Sequence, residues 1–106
     1  MGGYVALAIQ RLAPERVTRL ALLDTTARPD TPEGTERRRA LMEWAKSGEF
    51  GRVHETLWPR LVHPDRYSDR VLEGIVRTMM DDTGVEAFCR QQEAIIARVD
   101  SRPLLA

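Results

Sequence analysis

Residues 3–24 read GYVALAIQRLAPERVTRLALLD, and this stretch decides the predicted fold. Its first half carries apolar residues at helical spacing: Val5, Ala8, Ile9 and Leu12. Pro14 stops this pattern, which predicts a helix over 3–13. In the second half, residues 17–23 form a nearly continuous apolar run, typical of a parallel strand covered on both faces. A run this short is also compatible with a short buried helix, because periodicity alone does not separate the two.

Downstream of a polar loop, the pattern is helical almost to the end of the chain. Thr31 as N-cap, Pro32 at the first helical position and Glu33 in the first turn predict a helix that reaches about Gly48. Further amphipathic patterns cover three ranges, 50–61, 71–80 and 83–99. The chain is therefore predicted to be mostly helical, with about five helices and a single core strand near 17–23.

The last predicted helix has the most complete local signals. Thr83 and Glu86 match a capping box, in which each side chain satisfies a backbone N–H of the other residue. Asp81 and Asp82 precede Thr83, where carboxylates favour a helix N-terminus. Cys89 lies on the apolar face of this helix and is expected to be a buried, inert thiol.

Composition excludes several classes of protein. The 106 residues carry 16 Lys and Arg against 16 Asp and Glu, so a surplus of positive charge for binding nucleic acid is absent. A single cysteine excludes an internal disulfide framework and a multi-cysteine zinc site. Apolar stretches fall far short of the roughly 18 residues that span a bilayer, and no secretory signal pattern is present. We therefore expect a cytoplasmic protein without membrane or nucleic-acid partners.

The N-terminal residues resemble a known family. Met1-Gly2-Gly3-Tyr4 continues into a helix, an apolar run and a polar loop. This order resembles the esterase-like and lactonase-like α/β-hydrolases, in which the nucleophile turn often reads G-x-S-M-G-G-Y. The resemblance implies an α/β fold by family and a fragment that begins one residue after the nucleophilic serine. It also implies three parts: a partial core over 1–30, a helical cap over 31–99, and the start of the return to the core over 100–106.

The resemblance implies a function for the parent protein. Such a hydrolase acts on an ester, lactone or related acyl compound through a Ser-His-Asp triad, without cofactor or metal. The backbone N–H that follows the nucleophile is one oxyanion donor of the family, and this position corresponds to Met1. Serine, acid and histidine of the triad would all lie outside this chain, so the chain alone is expected to be inactive.

Asp24 is the one residue considered as a catalytic acid. It ends the predicted strand, where α/β folds place functional side chains and where some α/β-hydrolases carry their acid. Hydrogen bonding within the loop is the alternative role for this carboxylate.

Large apolar side chains are candidates to line a substrate pocket if the helices form a cap. The predicted pocket residues are Trp44, Phe50, Trp58, Met79 and Phe88, and Tyr67 and Met80 belong to the same group. Packing between helices explains each of them equally well.

Other residues with reactive side chains receive structural interpretations. The three serines at helix ends or breaks are expected to cap helices or face solvent: Ser47, Ser68 and Ser101. His54 is expected at the edge of the core and His63 in a turn. No carboxylate or cysteine pair lies at ligand spacing from either histidine, so no metal site is predicted. Arg37, Arg38 and Arg39 are flanked by glutamates and are expected to form a solvated helix face.

A second hypothesis needs no enzyme. The chain would be a non-catalytic helical interaction module that completes its amphipathic faces by self-association. An unpaired apolar strand exposes backbone donors and acceptors to any partner, so a homo-oligomer is expected.

Overall fold

The computed structural model describes residues 1–105, and helices dominate it. There are four α-helices: α1 (Gly2–Leu12), α2 (Pro32–Lys46), α3 (Phe50–Leu61) and α4 (Arg70–Ile96). Three short 3₁₀ turns occupy Pro14–Arg16, Pro64–Arg66 and Arg102–Leu105. The prediction of a mostly helical chain is confirmed, but residues 1–105 contain four α-helices and not about five, because the ranges predicted over 71–80 and 83–99 join in α4. Ala106 lies outside the described residues.

The predicted strand over residues 17–23 is wrong, since no β-strand occurs within residues 1–105. The segment is not a short buried helix either, because it has no regular secondary structure and Leu23 is 81% exposed. The physical reason is the lack of a neighbour: a strand needs a second extended segment to complete its hydrogen-bond ladder. Backbone amides of residues 18–25 donate no hydrogen bond within the part of the chain that the structure describes.

The hydrophobic core lies where α2, α3 and α4 meet. Its buried members are Leu41, Met42, Ala45, Val53, Phe88 and Cys89. Phe50 and Phe88 meet edge to face, with ring centroids 5.4 Å apart, which fixes the start of α3 against the second half of α4. The prediction of a buried Cys89 is confirmed.

Helix α2 begins and ends as its local sequence indicates. The Thr31 hydroxyl accepts a hydrogen bond from the Gly34 amide at 3.0 Å, and Pro32 is the first helical residue. After the helix, Gly48 adopts a φ of 90°, a conformation that residues with a Cβ rarely adopt. The chain then reverses directly into α3, which continues through Pro59 to Leu61.

Helix α4 joins two elements that the sequence pattern separates. The Leu72 amide donates to the Asp69 carboxylate at 2.9 Å and caps its start. The helix then runs to Ile96 with one break at Gly84, where φ is 76° and ψ is 164°. The predicted capping box at this break is wrong, because the Thr83 hydroxyl donates to the Met79 carbonyl at 2.8 Å instead.

Helices α1 and α4 each leave several apolar side chains exposed. On α1 these are Val5, Ile9 and Leu12, and on the first half of α4 they are Val71, Ile75 and Met79. Neither helix qualifies as a membrane span: among residues 1–105, none is both long enough and apolar enough to cross a bilayer.

Candidate functional site

The candidate site is a cleft of about 270 Å³ between α1 and the C-terminal end of α4, which we call the Tyr4 cleft. Its walls are mostly apolar and include Tyr4, Leu7 and Ala8 from α1 and Ala94, Ala97 and Val99 from the other side. Thr26 and Ser101 add hydroxyl groups, and Arg11 and Arg98 add positive charge. The cleft is therefore suited to an apolar group with a polar or anionic end.

Arg98 fixes one wall of the Tyr4 cleft. Its guanidinium carbon lies 4.7 Å from the centroid of the Tyr4 ring, which is cation–π distance. Its Nε donates to the Arg28 carbonyl at 2.9 Å, and another nitrogen donates to the Ile95 carbonyl at 2.9 Å. One side chain thus connects α1, the loop after residues 17–25 and the end of α4.

Asp30 holds this arginine and a second one. Its carboxylate lies 3.3 Å from Arg98 and 3.1 Å from Arg38, and it accepts a hydrogen bond from the Thr35 hydroxyl at 3.1 Å. Burial raises the pKa of Asp30, whereas Arg38, Thr35 and Arg98 lower it and prevail, so the pKa lies below its ordinary value. Arg38 also donates to the Gln92 side chain at 2.9 Å, which ties α2 to α4.

The prediction of Arg38 as part of a solvated face is therefore wrong. The middle arginine of a three-arginine run has no sequence signal for a buried ion pair, since Asp30 lies eight residues away and Gln92 far downstream. Arg37 and Arg39 are exposed as expected.

Backbone contacts close the base of the cleft. The Ser101 amide donates to the Ala27 carbonyl at 2.8 Å, and Ser101 is buried. At the start of α1, a Cβ on Gly3 would lie 2.3 Å from the Thr25 hydroxyl oxygen, so the helix and residue 25 are in direct contact. The N-terminus of α1 is thereby placed beside the end of the apolar segment.

The structure brings one predicted site residue to the cleft. Met1, the residue at the family's oxyanion-donor position, lines it. Asp24 does not line the cleft: it lies two residues before Thr26, is exposed, and has a φ of 48°. None of the five predicted pocket residues contributes to the lining.

Those five residues have other environments. Trp58 and Phe88 are buried, Trp44 and Phe50 are partly buried against the core, and Met79 is 64% exposed. Trp44 carries the Arg52 guanidinium over its ring at 3.9 Å. The Trp58 indole donates to the Tyr67 carbonyl at 3.1 Å. Contacts between helices and turns therefore account for four of the five, and Met79 faces solvent.

The histidines lie away from the cleft. His54 on α3 is 1% exposed, so it is a core residue and not at the core edge. Neither of its ring nitrogens has a hydrogen-bond partner within residues 1–105. His63 is exposed in the following turn, where its Nδ1 accepts from the Asp65 amide at 3.4 Å.

The lining of the Tyr4 cleft offers apolar, hydroxyl and guanidinium groups that can bind a ligand. No histidine lines the Tyr4 cleft beside Ser101, so the described residues supply no nucleophile–base pair there. No group of three or more potential metal ligands occurs among them either. A comparison with protein families, curated proteins and solved structures finds no match to this chain.

Proposed function

We propose that this chain supplies the helix that follows the nucleophile and the helical cap of an α/β-hydrolase. The parent enzyme would cleave an ester, lactone or related acyl compound. Residues 1–30 would belong to the α/β core, 31–99 would form the cap, and 100–106 would lead back toward the core. The chain itself would pack and shape the enzyme, with the triad supplied by other parts of the protein.

The observation that carries this proposal is the path of the chain from α1 to Thr25. At the start of α1, Gly3 meets Thr25, and at its end Gln10 lines the same depression as Val17 and Thr18. Helix and segment therefore run antiparallel, side by side. In a βαβ unit the crossover helix runs back along the sheet in this way, and its N-terminus lies next to the end of the following strand.

Gly3 supports the same interpretation. A Cβ at this position would lie 2.7 Å from the Thr25 Cβ, a distance that real Cβ atoms essentially never show. Glycine thus permits the close approach between helix and neighbouring chain. Nucleotide-binding βαβ units use a glycine of their first turn for the same close packing.

The exposed apolar segment supports a larger parent. Residues 17–23 contain four leucine or valine side chains, and the Leu23 side chain lies almost entirely in solvent. Apolar runs of this kind are covered on both faces in parallel sheets, which a parent core would provide.

An esterase assay tests the proposal. Hydrolysis of a short-chain aryl ester is measured for this chain and for a longer version of the same protein that includes the flanking sequence at both ends. We expect activity only in the longer version. Its matched control replaces the residue before Met1 by alanine, which is expected to lower kcat by on the order of a million-fold if that residue is the nucleophile.

Two results would overturn the proposal. One is ester hydrolysis by the 106-residue chain alone, because its described residues contain no triad. The other is a longer version that folds but hydrolyses neither aryl esters nor lactones.

A further inference from the structure

One side of α1 forms a long wall of the Tyr4 cleft. Tyr4, Leu7, Ala8 and Arg11 all line it and follow helical spacing, so they lie along one side of the helix. Seven residues separate Tyr4 from Arg11, which corresponds to about 10 Å along the helix axis. The cleft therefore extends along about two turns of α1.

Small side chains leave room in the cleft. Ala8 lines it from α1, and Ala94 and Ala97 line it from the end of α4. Val5 and Val99 also line it and are 52% and 48% exposed, so apolar surface in the cleft is open to solvent. The volume of about 270 Å³ equals that of roughly nine liquid water molecules. This space suits a ligand with on the order of ten non-hydrogen atoms.

The charged side chains in the cleft are positive. Its described lining contains Arg11 and Arg98 but no aspartate or glutamate. The carboxylate of Asp30 contacts Arg98 from outside the lining and is shared with Arg38. A bound anion would therefore meet positive charge without a competing carboxylate in the described wall.

Arg11 is the arginine with donors to offer a ligand. Two nitrogens of Arg98 donate to the Arg28 and Ile95 carbonyls, and its third lies 3.3 Å from the Asp30 carboxylate. Arg11 is exposed and forms neither an ion pair nor a side-chain hydrogen bond within residues 1–105. Its guanidinium presents a planar fork of N–H donors, which matches the two oxygens of a carboxylate.

We propose that the Tyr4 cleft binds an apolar monocarboxylate, with the carboxylate on Arg11 and the hydrocarbon chain along Leu7 and Ala8 toward Tyr4. Octanoate matches this description in size, and its extended chain spans most of the roughly 10 Å between Arg11 and Tyr4. Burial of the chain supplies most of the affinity, because a salt bridge to an exposed arginine contributes little.

The site belongs to the 106-residue chain alone and does not depend on the proposed hydrolase parent. Binding is measured on this chain and ester hydrolysis on the longer version, so either proposal can fail without the other.

Titration of the isotope-labelled 106-residue chain with sodium octanoate, followed by NMR of the backbone amides, tests the proposal. We expect saturable shifts at Tyr4, Leu7, Ala8 and Ala97, with a dissociation constant between about 0.1 and 5 mM. Octanol, which has the same chain without the charge, is expected to bind about threefold more weakly. Octylammonium is expected to bind at least about tenfold more weakly, because the cleft repels a cation.

Two substitutions alter the two parts of the site separately. Arg11→Glu is expected to raise the dissociation constant for octanoate about tenfold, since it replaces an attractive charge by a repulsive one. Ala97→Leu is expected to raise it at least about tenfold, because the larger side chain fills the space for the hydrocarbon chain. Both positions are exposed, so neither substitution disturbs the hydrophobic core.

Matched controls place the same changes outside the cleft. Arg16→Glu and Ala40→Leu alter exposed residues that do not line it, and both are expected to leave octanoate binding unchanged. Four results would each overturn the proposal: no saturable shift at the cleft amides up to about 5 mM octanoate, equal affinity for octanoate and octylammonium, equal effects of Arg11→Glu and Arg16→Glu, or unchanged binding in Ala97→Leu.

Discussion

Asp30 is the residue on which the long-range polar contacts converge. Its carboxylate is only 6% exposed and joins Arg38 on α2 to Arg98 at the end of α4. Through Arg98 it also supports the Tyr4 cleft, because that guanidinium lies over the Tyr4 ring. Removing the charge of a buried carboxylate that pairs with two arginines is costly, because the arginines then stay partly desolvated without an opposite charge beside them.

Asp30→Asn is expected to lower the free energy of unfolding by about 2–3 kcal/mol, less than for a fully buried pair because Arg38 retains some solvent. Thermal or urea unfolding at neutral pH measures this. Asp100→Asn is the matched control, because Asp100 and Arg102 form an exposed pair, and it should change the melting temperature little. Equal effects of the two substitutions would contradict the central role of Asp30.

The pH dependence of stability follows from the same carboxylate. The pKa of Asp30 is lower in the folded protein than in the unfolded chain. Between these two pKa values, the folded state therefore binds fewer protons than the unfolded chain. Its stabilisation is therefore fully present above about pH 4 and is lost as pH falls through the folded pKa. Asp69 and Asp100 have lowered pKa values as well, that of Asp100 lying at about 2. The free energies of unfolding of the wild type and of Asp30→Asn should therefore converge as the pH falls from about 4 toward the folded pKa of Asp30.

His54 is a buried polar residue without a hydrogen-bond partner among residues 1–105. Its ring stacks on Trp58 with ring centroids 6.1 Å apart, but neither nitrogen forms a hydrogen bond in the part of the chain that the structure describes. His54→Leu is expected to raise the free energy of unfolding by about 1–2 kcal/mol, because it removes groups whose desolvation is not compensated. The exposed His63→Leu is the control and should have almost no effect on unfolding. A clear loss of stability in His54→Leu would show that the imidazole has a stabilising role that its contacts do not explain.

At the scale of elements, the break in α4 depends on Gly84. Its φ of 76° with ψ of 164° lies in a region that is essentially restricted to glycine. Gly84→Ala is expected to lower the free energy of unfolding by about 1–3 kcal/mol. Gly51→Ala is the matched control, since a Cβ meets open space at both positions but Gly51 has ordinary helical φ. It should raise stability by up to about 1 kcal/mol; stabilisation by both substitutions would contradict a strained break.

Contact between α1 and the apolar segment depends on Gly3. Gly3→Ala is expected to lower the free energy of unfolding by about 1–3 kcal/mol, because its Cβ would overlap the Thr25 side chain. Gly2→Ala, one residue earlier and with nothing within 4 Å, should be neutral or slightly stabilising. Adding Thr25→Gly should restore much of the stability lost in Gly3→Ala, as measured by thermal unfolding. A neutral Gly3→Ala would contradict the antiparallel packing of α1 on this segment.

Local signals predicted the elements that local interactions form. The cap of α2 at Thr31 was predictable because its hydrogen bond spans only three residues. The strand over 17–23 was not, since a ladder depends on a partner segment and apolar content alone does not supply one. The Thr83 hydroxyl has two competing partners, a backbone amide of the helical segment that follows it and a carbonyl of the segment that precedes it. It donates to the preceding one, the Met79 carbonyl.

The candidate site was less predictable than the helices. The Tyr4 cleft arises from Arg98 meeting Tyr4 and Arg28, residues far apart in the chain that share no motif. Only Met1 was placed near it, through the resemblance to the family and not through its side chain. The predicted pocket residues were chosen for size and apolarity, and core packing selects the same properties.

At the scale of the whole molecule, two regions differ in how they are held. Helices α2, α3 and α4 share a hydrophobic core and satisfy their own backbone groups. The N-terminal region, residues 1–30, docks on them through the Asp30 and Arg98 contacts and the hydrogen bond from Ser101 to Ala27. Its apolar segment has no backbone partner among the described residues, which is the feature that the hydrolase proposal explains.

Amide hydrogen exchange followed residue by residue tests this account most directly. We expect strong protection at core positions of α2, α3 and the second half of α4, where opening requires loss of the shared core. Amides of residues 18–25 are expected to exchange at nearly the rate of an unfolded chain, because none donates a hydrogen bond to any described residue. Protection at residues 18–25 equal to that in α2 would contradict the account, since it would show that this chain already supplies the segment with a partner.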